Sequence, residues 1–270
     1  MSRREIIVRG RRVEIAETGS GPPLLYLHGF CDVHGAVPDW LTFHESLARR
    51  FTVIAPAHPG CAASEENDDI DVVDDATFHL LSVMDALGLG SVHVVGHCIG
   101  GWLAAELAVH HRERIERLCL IGASGLKVTG EPIADLFWQL QPLNGTDRSG
   151  LRRLLFAESE SALAHEFYPE GRNEIEIELL RFKMCRFASR IGFRPPYFQD
   201  PKLADRLDRC DRQALVLWGR DNRLVPLAHG ETYANGLGDA RLEVLDQAGH
   251  CLHIEQPEKV ADIVEGFFTG

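Results

Sequence analysis

The stretch GHCIGG, residues 96–101, joins a short apolar run that is typical of a strand to a segment with helical character. A strand that turns abruptly into a helix holds the residue at the turn in a strained conformation, with its side chain pushed out above the sheet. The residues two before and two after that turn must be small, because their Cβ atoms would otherwise collide. Gly96 and Gly100 meet this demand. The stretch therefore predicts a nucleophile elbow with Cys98 at its tip.

The thiol of Cys98 allows two interpretations. A free cysteine is most often a buried core residue, and taken alone that interpretation is as good as a catalytic one. The elbow glycines, and the candidate base and acid found further along the chain, favour the catalytic role. Since the dipole at a helix N-terminus favours negative charge, we expect the pKa of the Cys98 thiol to be lowered.

Outside the elbow, strand-like and helix-like runs alternate, which predicts an α/β fold with a mostly parallel central sheet flanked by helices. The first two strand-like runs are separated by Gly10 and predict an antiparallel start. The predicted strands are residues 5–9, 13–17, 24–27, 51–56, 91–95, 118–121, 214–217 and 242–245. The clearest predicted helices are residues 74–87, 102–109 and 260–268.

The alternation stops between residues 125 and 209. This stretch holds an apolar patch with helical spacing at residues 136–140 and an ambiguous run, EIEIELL, at residues 174–180. We therefore expect an α/β core made of residues 1–124 and 210–270, with a helical cap inserted at residues 125–209.

The composition excludes several classes of function. The 270 residues carry a formal net charge of −12 at pH 7, and such a surface repels phosphate backbones and anionic lipids. We therefore expect neither nucleic acid nor a membrane as a partner. Seven cysteines at irregular spacing without a CxxC pair argue against a disulfide scaffold or a zinc ribbon. With no secretory pattern and no long apolar run, we expect a cytoplasmic protein with reduced thiols, whose oligomeric state the sequence leaves open.

Two residues that follow late strand-like runs complete a candidate catalytic set. His250 follows the run at residues 242–245 through a short glycine-containing loop, and Asp221 follows the run at residues 214–217. Ligand sites in open α/β sheets gather at this edge. We expect His250 to take the proton of the nucleophile and Asp221 to orient His250. His253 is more typical of a residue that packs against or caps the last helix.

These motifs, taken in order, resemble the α/β-hydrolase family along essentially the full length of the chain. The order of nucleophile, acid and histidine is also that of the family. The residues that carry the resemblance are HGF at 28–30, AP at 55–56, PG at 59–60, the elbow, LWGRD at 217–221 and AGH at 248–250.

An oxyanion hole needs two backbone N–H groups that point at the carbonyl oxygen of the substrate. In the elbow geometry Ile99, the residue after the nucleophile, supplies one of them. The resemblance implies that Phe30 supplies the second, with Cys31 taking its place if the loop is offset by one residue.

The sequence predicts neither a cofactor nor a metal. The run HCLH at residues 250–253 offers ligand atoms but has no further ligand at a matching spacing. No glycine-rich nucleotide-binding pattern is present. We therefore expect side chains and backbone alone to carry the chemistry on a small-molecule acyl substrate.

Cysteine at the nucleophile position departs from the serine that the family usually carries. Both a natural thiol and a Ser→Cys replacement explain it, and natural thiols occur in dienelactone hydrolases and polyester synthases of this fold. The family's carbon–carbon hydrolases of meta-cleavage products usually have Asn before the nucleophile and Trp after the histidine. Here those positions hold His97 and Cys251, which weighs against that activity.

We therefore expect an esterase-like hydrolase that cleaves a small ester, lactone or thioester through a covalent acyl-enzyme on Cys98. Amines or thiols can also intercept a thioester intermediate, so an acyltransferase fits the same residues. A carbon–carbon bond hydrolase of the meta-cleavage type and a non-catalytic receptor for a small molecule fit the fold as well, because fold alone does not separate these functions.

Overall fold

A computed structural model describes residues 2–140, 147–171, 175–193 and 197–270. Within this part of the chain, eight strands form one sheet in the order β1-β2-β4-β3-β5-β6-β9-β10, and β7 pairs with β8 apart from it. The strands are β1 (Ser2–Val8), β2 (Arg11–Thr18), β3 (Pro23–Leu27), β4 (Thr52–Pro56), β5 (Val92–His97), β6 (Ile115–Ile121), β7 (Gly125–Leu126), β8 (Gln199–Asp200), β9 (Gln213–Gly219) and β10 (Asp239–Leu245).

From β3 to β6, and again from β9 onward, helices follow strands in the alternating order that the sequence predicts. Two short 3-10 turns, at Arg112–Arg114 and Ala204–Arg209, complete the regular structure of the described residues. The helices are α1 (Thr42–Leu47), α2 (Val73–Ala86), α3 (Ile99–His110), α4 (Leu136–Leu140), α5 (Ser149–Leu155), α6 (Ala162–Phe167), α7 (Ile175–Gly192), α8 (Leu227–Gly236), α9 (Leu252–Glu255) and α10 (Pro257–Thr269).

The sheet is antiparallel only at its β1 end. Strands β1 and β2 form a hairpin, β2 pairs antiparallel with β4, and every later neighbour in the sheet pairs in parallel. The central strands are buried on both faces, which explains why they are continuous apolar runs in the sequence. The predicted α/β fold with a mostly parallel sheet and an antiparallel start is confirmed.

Two apolar layers cover the sheet, one on each face. Successive side chains of a strand point to opposite faces, so Leu25 on β3 joins the layer that contains α2 and α3, whereas Leu24 joins the layer that contains α1 and α10. Helix α3 follows the elbow directly and is buried along almost its whole length. The N-terminus of α3 is therefore held rigidly against the centre of the sheet.

A helical insertion lies between β6 and β9, and it contains α4 to α7. Residues 175–180 of the ambiguous EIEIELL run form the first turns of α7, while residue 174 lies outside the described residues. Residues 141–146, 172–174 and 194–196 of the expected cap also lie outside them. The limits 125 and 209 stay a prediction. In the described residues, no helix is both long and apolar enough to cross a membrane.

Candidate active site

Cys98 occupies the turn between β5 and α3 in a conformation that side chains rarely adopt, with φ 55° and ψ −118°. A methyl group on Gly96 would overlap the carbonyl oxygen of Gly100, and one on Gly100 would overlap the carbonyl oxygen of Leu27. The two glycines are therefore required by close backbone approach. The strained elbow predicted from the sequence is present.

The backbone N–H groups of Ile99 and Phe30 favour the thiolate form of Cys98. The role of these two groups as oxyanion donors, with Phe30 rather than Cys31 as the second, stays a prediction. Burial nevertheless dominates and raises the pKa of the Cys98 thiol to about 12. The expectation of a lowered thiol pKa is wrong, because removal of the sulfur from water outweighs the N–H groups at the start of α3.

His250 lies fully buried in the loop after β10. Its loop is fixed on both sides, because the Glu255 carboxylate accepts the Gly249 N–H at 2.6 Å and the Leu155 carbonyl accepts the Cys251 N–H at 2.9 Å. Within the described residues, neither ring nitrogen of His250 has a hydrogen-bond partner. Burial, together with the neighbouring His97 and His253, holds the pKa of His250 well below its usual value, so the ring is neutral at pH 7.

The structure does not bring the Asp221 carboxylate to His250. Asp221 is half-buried, and its backbone N–H donates to the Ala248 carbonyl at 3.0 Å. Its charge acts instead on its neighbours Arg220 and Glu255. The expected hydrogen bond between Asp221 and the histidine ring is therefore absent from the described part of the chain.

The next residue, Asn222, approaches Gly122 from the turn after β9, as the ring of His250 does from the loop after β10. Asn222 is buried, and its Oδ1 accepts the backbone N–H groups of Leu224 at 3.2 Å and Val225 at 2.9 Å. A methyl group placed on Gly122 would lie 3.3 Å from both Asn222 Nδ2 and His250 Nδ1. Asn222 is not among the residues predicted from the sequence, where its only signal is its position immediately after the predicted acid.

A second group of polar residues lies behind the elbow, centred on Asp32. This wholly buried carboxylate accepts hydrogen bonds from the Gly29 N–H at 2.8 Å, from His97 Nδ1 at 2.8 Å and from His253 Nε2. On its other side the His97 ring donates from Nε2 to the His250 carbonyl at 3.2 Å. Burial opposes ionisation of Asp32, but His253 and His97 outweigh it and hold the pKa of Asp32 well below its usual value.

The Asp32 group joins three segments of the chain. The sequence did not predict a role for Asp32. The Asp32 carboxylate bonds to the HGF loop through Gly29, to the elbow through His97 and to the loop after β10 through His253. His253 therefore binds a buried carboxylate rather than only packing or capping the last helix. A single aspartate in a loop has no spacing pattern that would predict this role.

Two groups of side chains in the described residues could hold a metal ion by distance alone. The ligand atoms of Asp32, His97 and His253 lie within 4.8 Å of one another. Hydrogen bonds among these three residues already use the atoms that would bind the ion. The second group, Asp74, Glu106 and His110, lies on α2 and α3 and lines no part of the cavity at Cys98.

A cavity of about 460 Å³ opens beside Cys98, Ile99 and Phe30. The core and the helical insertion both form its walls. Among the described lining residues, the polar side chains besides Cys98 are those of Ser124, Asp135, Tyr197 and Gln199, and none carries a positive charge. The apolar members are Phe30, Ile99, Pro132, Ile133, Ala134, Leu136, Phe137, Met184, Ala188, Phe193, Phe198, Leu224 and Val225. The described walls therefore fit an apolar group without a negative charge.

The chain is similar to known hydrolases over nearly all of its length. The family described as "alpha/beta hydrolase fold" matches residues 22–257. The 2-hydroxymuconate semialdehyde hydrolase of Pseudomonas sp. (strain CF600) is 30% identical over 98% of this chain and 93% of its own length. The 2-hydroxy-6-oxo-2,4-heptadienoate hydrolase of Pseudomonas putida is 26% identical over 98% and 96%.

Solved structures of hydrolases also superpose on this chain over nearly its full length. A meta-cleavage product hydrolase from Pseudomonas fluorescens IP01 superposes with a TM-score of 0.77 at 22% identity, over 98% of this chain and 97% of the other. Naproxen esterase from Bacillus subtilis superposes with a TM-score of 0.78 at 18% identity, over 99% and 91%. At these identities the likeness shows the fold alone. Most of the named sequence relatives are meta-cleavage product hydrolases, a class that the sequence leaves open as an alternative.

Proposed function

This chain belongs to the α/β-hydrolase family, and we propose that it hydrolyses a carbon–carbon bond beside a ketone in a compound of the meta-cleavage-product type. The observation that carries the proposal is the similarity over nearly the full length of both chains to the 2-hydroxymuconate semialdehyde hydrolase. The 2-hydroxy-6-oxo-6-phenylhexa-2,4-dienoate hydrolase of Comamonas testosteroni, 26% identical over 90% of this chain, supports the same class.

The proposed reaction begins at the thiol of Cys98. The sulfur attacks the ketone carbon as the thiol proton passes to His250, and the N–H groups of Ile99 and Phe30 stabilise the negative charge that develops on the oxygen. Collapse of this intermediate breaks the carbon–carbon bond. The departing carbon takes a proton, for which His250 is the candidate donor, and leaves an acyl thioester on Cys98. Water then hydrolyses the thioester to release a carboxylic acid and free thiol.

The apolar cavity supports this proposal by offering room for the acyl part of the substrate. Phe137 and Met184, from the insertion, line the same cavity as Cys98 and give that part an uncharged surface. The methyl or phenyl group of a ketone fits an apolar wall because it brings no polar atom that would be buried there without a hydrogen-bond partner.

Hydrolysis of a neutral ester or thioester is a second candidate, and a specific observation favours it. A dienoate carries a carboxylate, which is costly to bury without a cation or several N–H donors. The described lining of the cavity offers no basic side chain. A neutral acyl substrate needs none.

The test compares the two candidates on one preparation of the full chain. We expect 2-hydroxy-6-oxo-6-phenylhexa-2,4-dienoate to lose its absorbance with release of benzoate, and the Cys98→Ala variant to be inactive. Turnover of p-nitrophenyl benzoate or a benzoyl thioester, without turnover of the dienoate, would transfer the assignment to the second candidate. Binding of the dienoate without turnover of any of these compounds would refute hydrolysis and indicate a receptor.

A further inference from the structure

We infer that Asn222 determines which nitrogen of His250 carries the proton, holding it on Nε2 and so restraining the thiol of Cys98. The inference rests on the proposed function, because it concerns the same residues. It makes Asn222 a positioning residue that acts through His250.

The orientation of the Asn222 amide is fixed by its own turn. Oδ1 accepts two backbone N–H groups, from Leu224 and Val225. A rotated amide would place its NH₂ group against these two donors and leave them unpaired in a buried turn. Nδ2 is therefore the atom that faces away from the turn.

Nδ2 and the histidine ring approach the same point in the structure. Both Asn222 Nδ2 and His250 Nδ1 lie 3.3 Å from the position of a methyl group on Gly122. Both atoms are buried, and neither has a hydrogen-bond partner within the described residues. An amide NH₂ group can only donate, so it favours the ring in which Nδ1 is a bare acceptor and Nε2 holds the proton.

No carboxylate among the described residues is bonded to His250 to reverse this preference. Asp221 lies beside Arg220 and Glu255, and the buried Asp32 is bonded to His97 and His253. An imidazolium ring needs an acceptor at Nδ1, and the side-chain atom that approaches the same point beside Gly122 is the Asn222 NH₂ group, which is a donor. His250 therefore carries its N–H at Nε2 and is a poor acceptor for the proton of Cys98.

This arrangement predicts slow formation of the acyl-enzyme. In serine proteases, replacement of the triad aspartate by asparagine leaves the geometry intact but selects the wrong histidine tautomer, which lowers kcat by about 10⁴. Asn222 of this chain corresponds to that asparagine, and His250 corresponds to the histidine in the unproductive tautomer. Departure of the leaving group is slowed with it, because His250 can pass a proton on only after it has accepted one from Cys98.

The first test measures the tautomer directly, without a substrate. We expect ¹⁵N NMR of histidine-labelled protein at pH 7.5 to show His250 with an unprotonated Nδ1 and a protonated Nε2, with the His250→Gln spectrum used for assignment. A protonated Nδ1 in the native protein would overturn the inference. Because no variant of Asn222 is needed, this result does not depend on how a substitution folds.

The second test replaces Asn222 by aspartate. We expect Asn222→Asp to move the proton to Nδ1 and to shift the pH profile of Cys98 alkylation by iodoacetamide to lower pH. It should raise turnover by about 10²–10⁴. Asp221→Asn, the matched control, should change neither by more than about twofold. An unchanged alkylation profile in folded Asn222→Asp, or an equal effect of Asp221→Asn, would overturn the inference. The NMR and alkylation results stand even if every proposed substrate is refused, so the two proposals fail separately.

Discussion

Replacement of Asp32 by asparagine tests how strongly the Asp32 group holds the site together. The native carboxylate accepts three hydrogen bonds, from Gly29, His97 and His253, and the two histidines hold its pKa well below the usual value. An asparagine keeps one acceptor oxygen and turns an NH₂ group toward a donor. One or two charge-assisted bonds are lost, each worth about 1.5–3 kcal/mol, so we expect unfolding free energy to fall by about 3–5 kcal/mol.

Urea unfolding at pH 7.5, followed by far-UV circular dichroism, measures this loss. We expect a lower midpoint with an unchanged slope, and a melting temperature lower by roughly 6–15 °C for a chain of this size. Asp262→Asn, at an exposed position of α10, is the control and should change the free energy by less than about 0.5 kcal/mol. A loss below about 1 kcal/mol in Asp32→Asn would show that the carboxylate does not hold the three loops together.

Changes at single positions, and a change of pH, test the remaining parts of the site and the core. His250→Ala should fold normally but lower kcat by about 10²–10⁴, measured on whichever substrate the native protein turns over, and near-native turnover would exclude His250 as the proton carrier. Gly100→Ala should give insoluble or unfolded protein, judged by soluble yield and circular dichroism, because its methyl group overlaps the Leu27 carbonyl. The methyl group of Gly266→Ala, on α10, meets nothing within 4 Å, so this variant should raise the free energy of unfolding by about 0.5–1 kcal/mol, measured by urea unfolding. Stability should fall as the pH drops from about 6.5 toward 4, because the unfolded chain binds protons that the folded chain refuses. The histidines concerned are His34 and His44, whose pKa burial lowers to about 3, and His58, whose pKa it lowers to about 4. Equal melting temperatures at pH 7.5 and pH 5 would contradict this prediction.

The elbow could be predicted from the sequence because its constraint is local. Gly96 and Gly100 are required by backbone atoms a few residues away or on the adjacent strand, and any chain that makes this turn meets the same collisions. The alternation of strands and helices is equally local, since it follows from which side chains each strand must bury. These features fixed the position of Cys98, Ile99 and the HGF loop relative to one another.

The approach of Asn222, rather than Asp221, to Gly122 and His250 could not be predicted in this way. Asp221 and Asn222 are adjacent in one turn, and the choice between them depends on which side chain accepts the backbone N–H groups of Leu224 and Val225. The sign of the thiol pKa shift was missed for a related reason. The helix N-terminus is visible in the sequence, but the burial of Cys98 depends on segments more than thirty residues away that close over it.

The insertion supplies part of the cavity wall, whereas the reacting groups come from the core of the fold. Cys98, Ile99 and Phe30 belong to the sheet and its loops, while Phe137, Met184 and Phe198 belong to the insertion between β6 and β9. Substrate choice and bond-breaking chemistry can therefore change independently during evolution. A chimera that received the insertion of a related hydrolase would take over that enzyme's preference for acyl groups while keeping the thiol and the proton arrangement of this one.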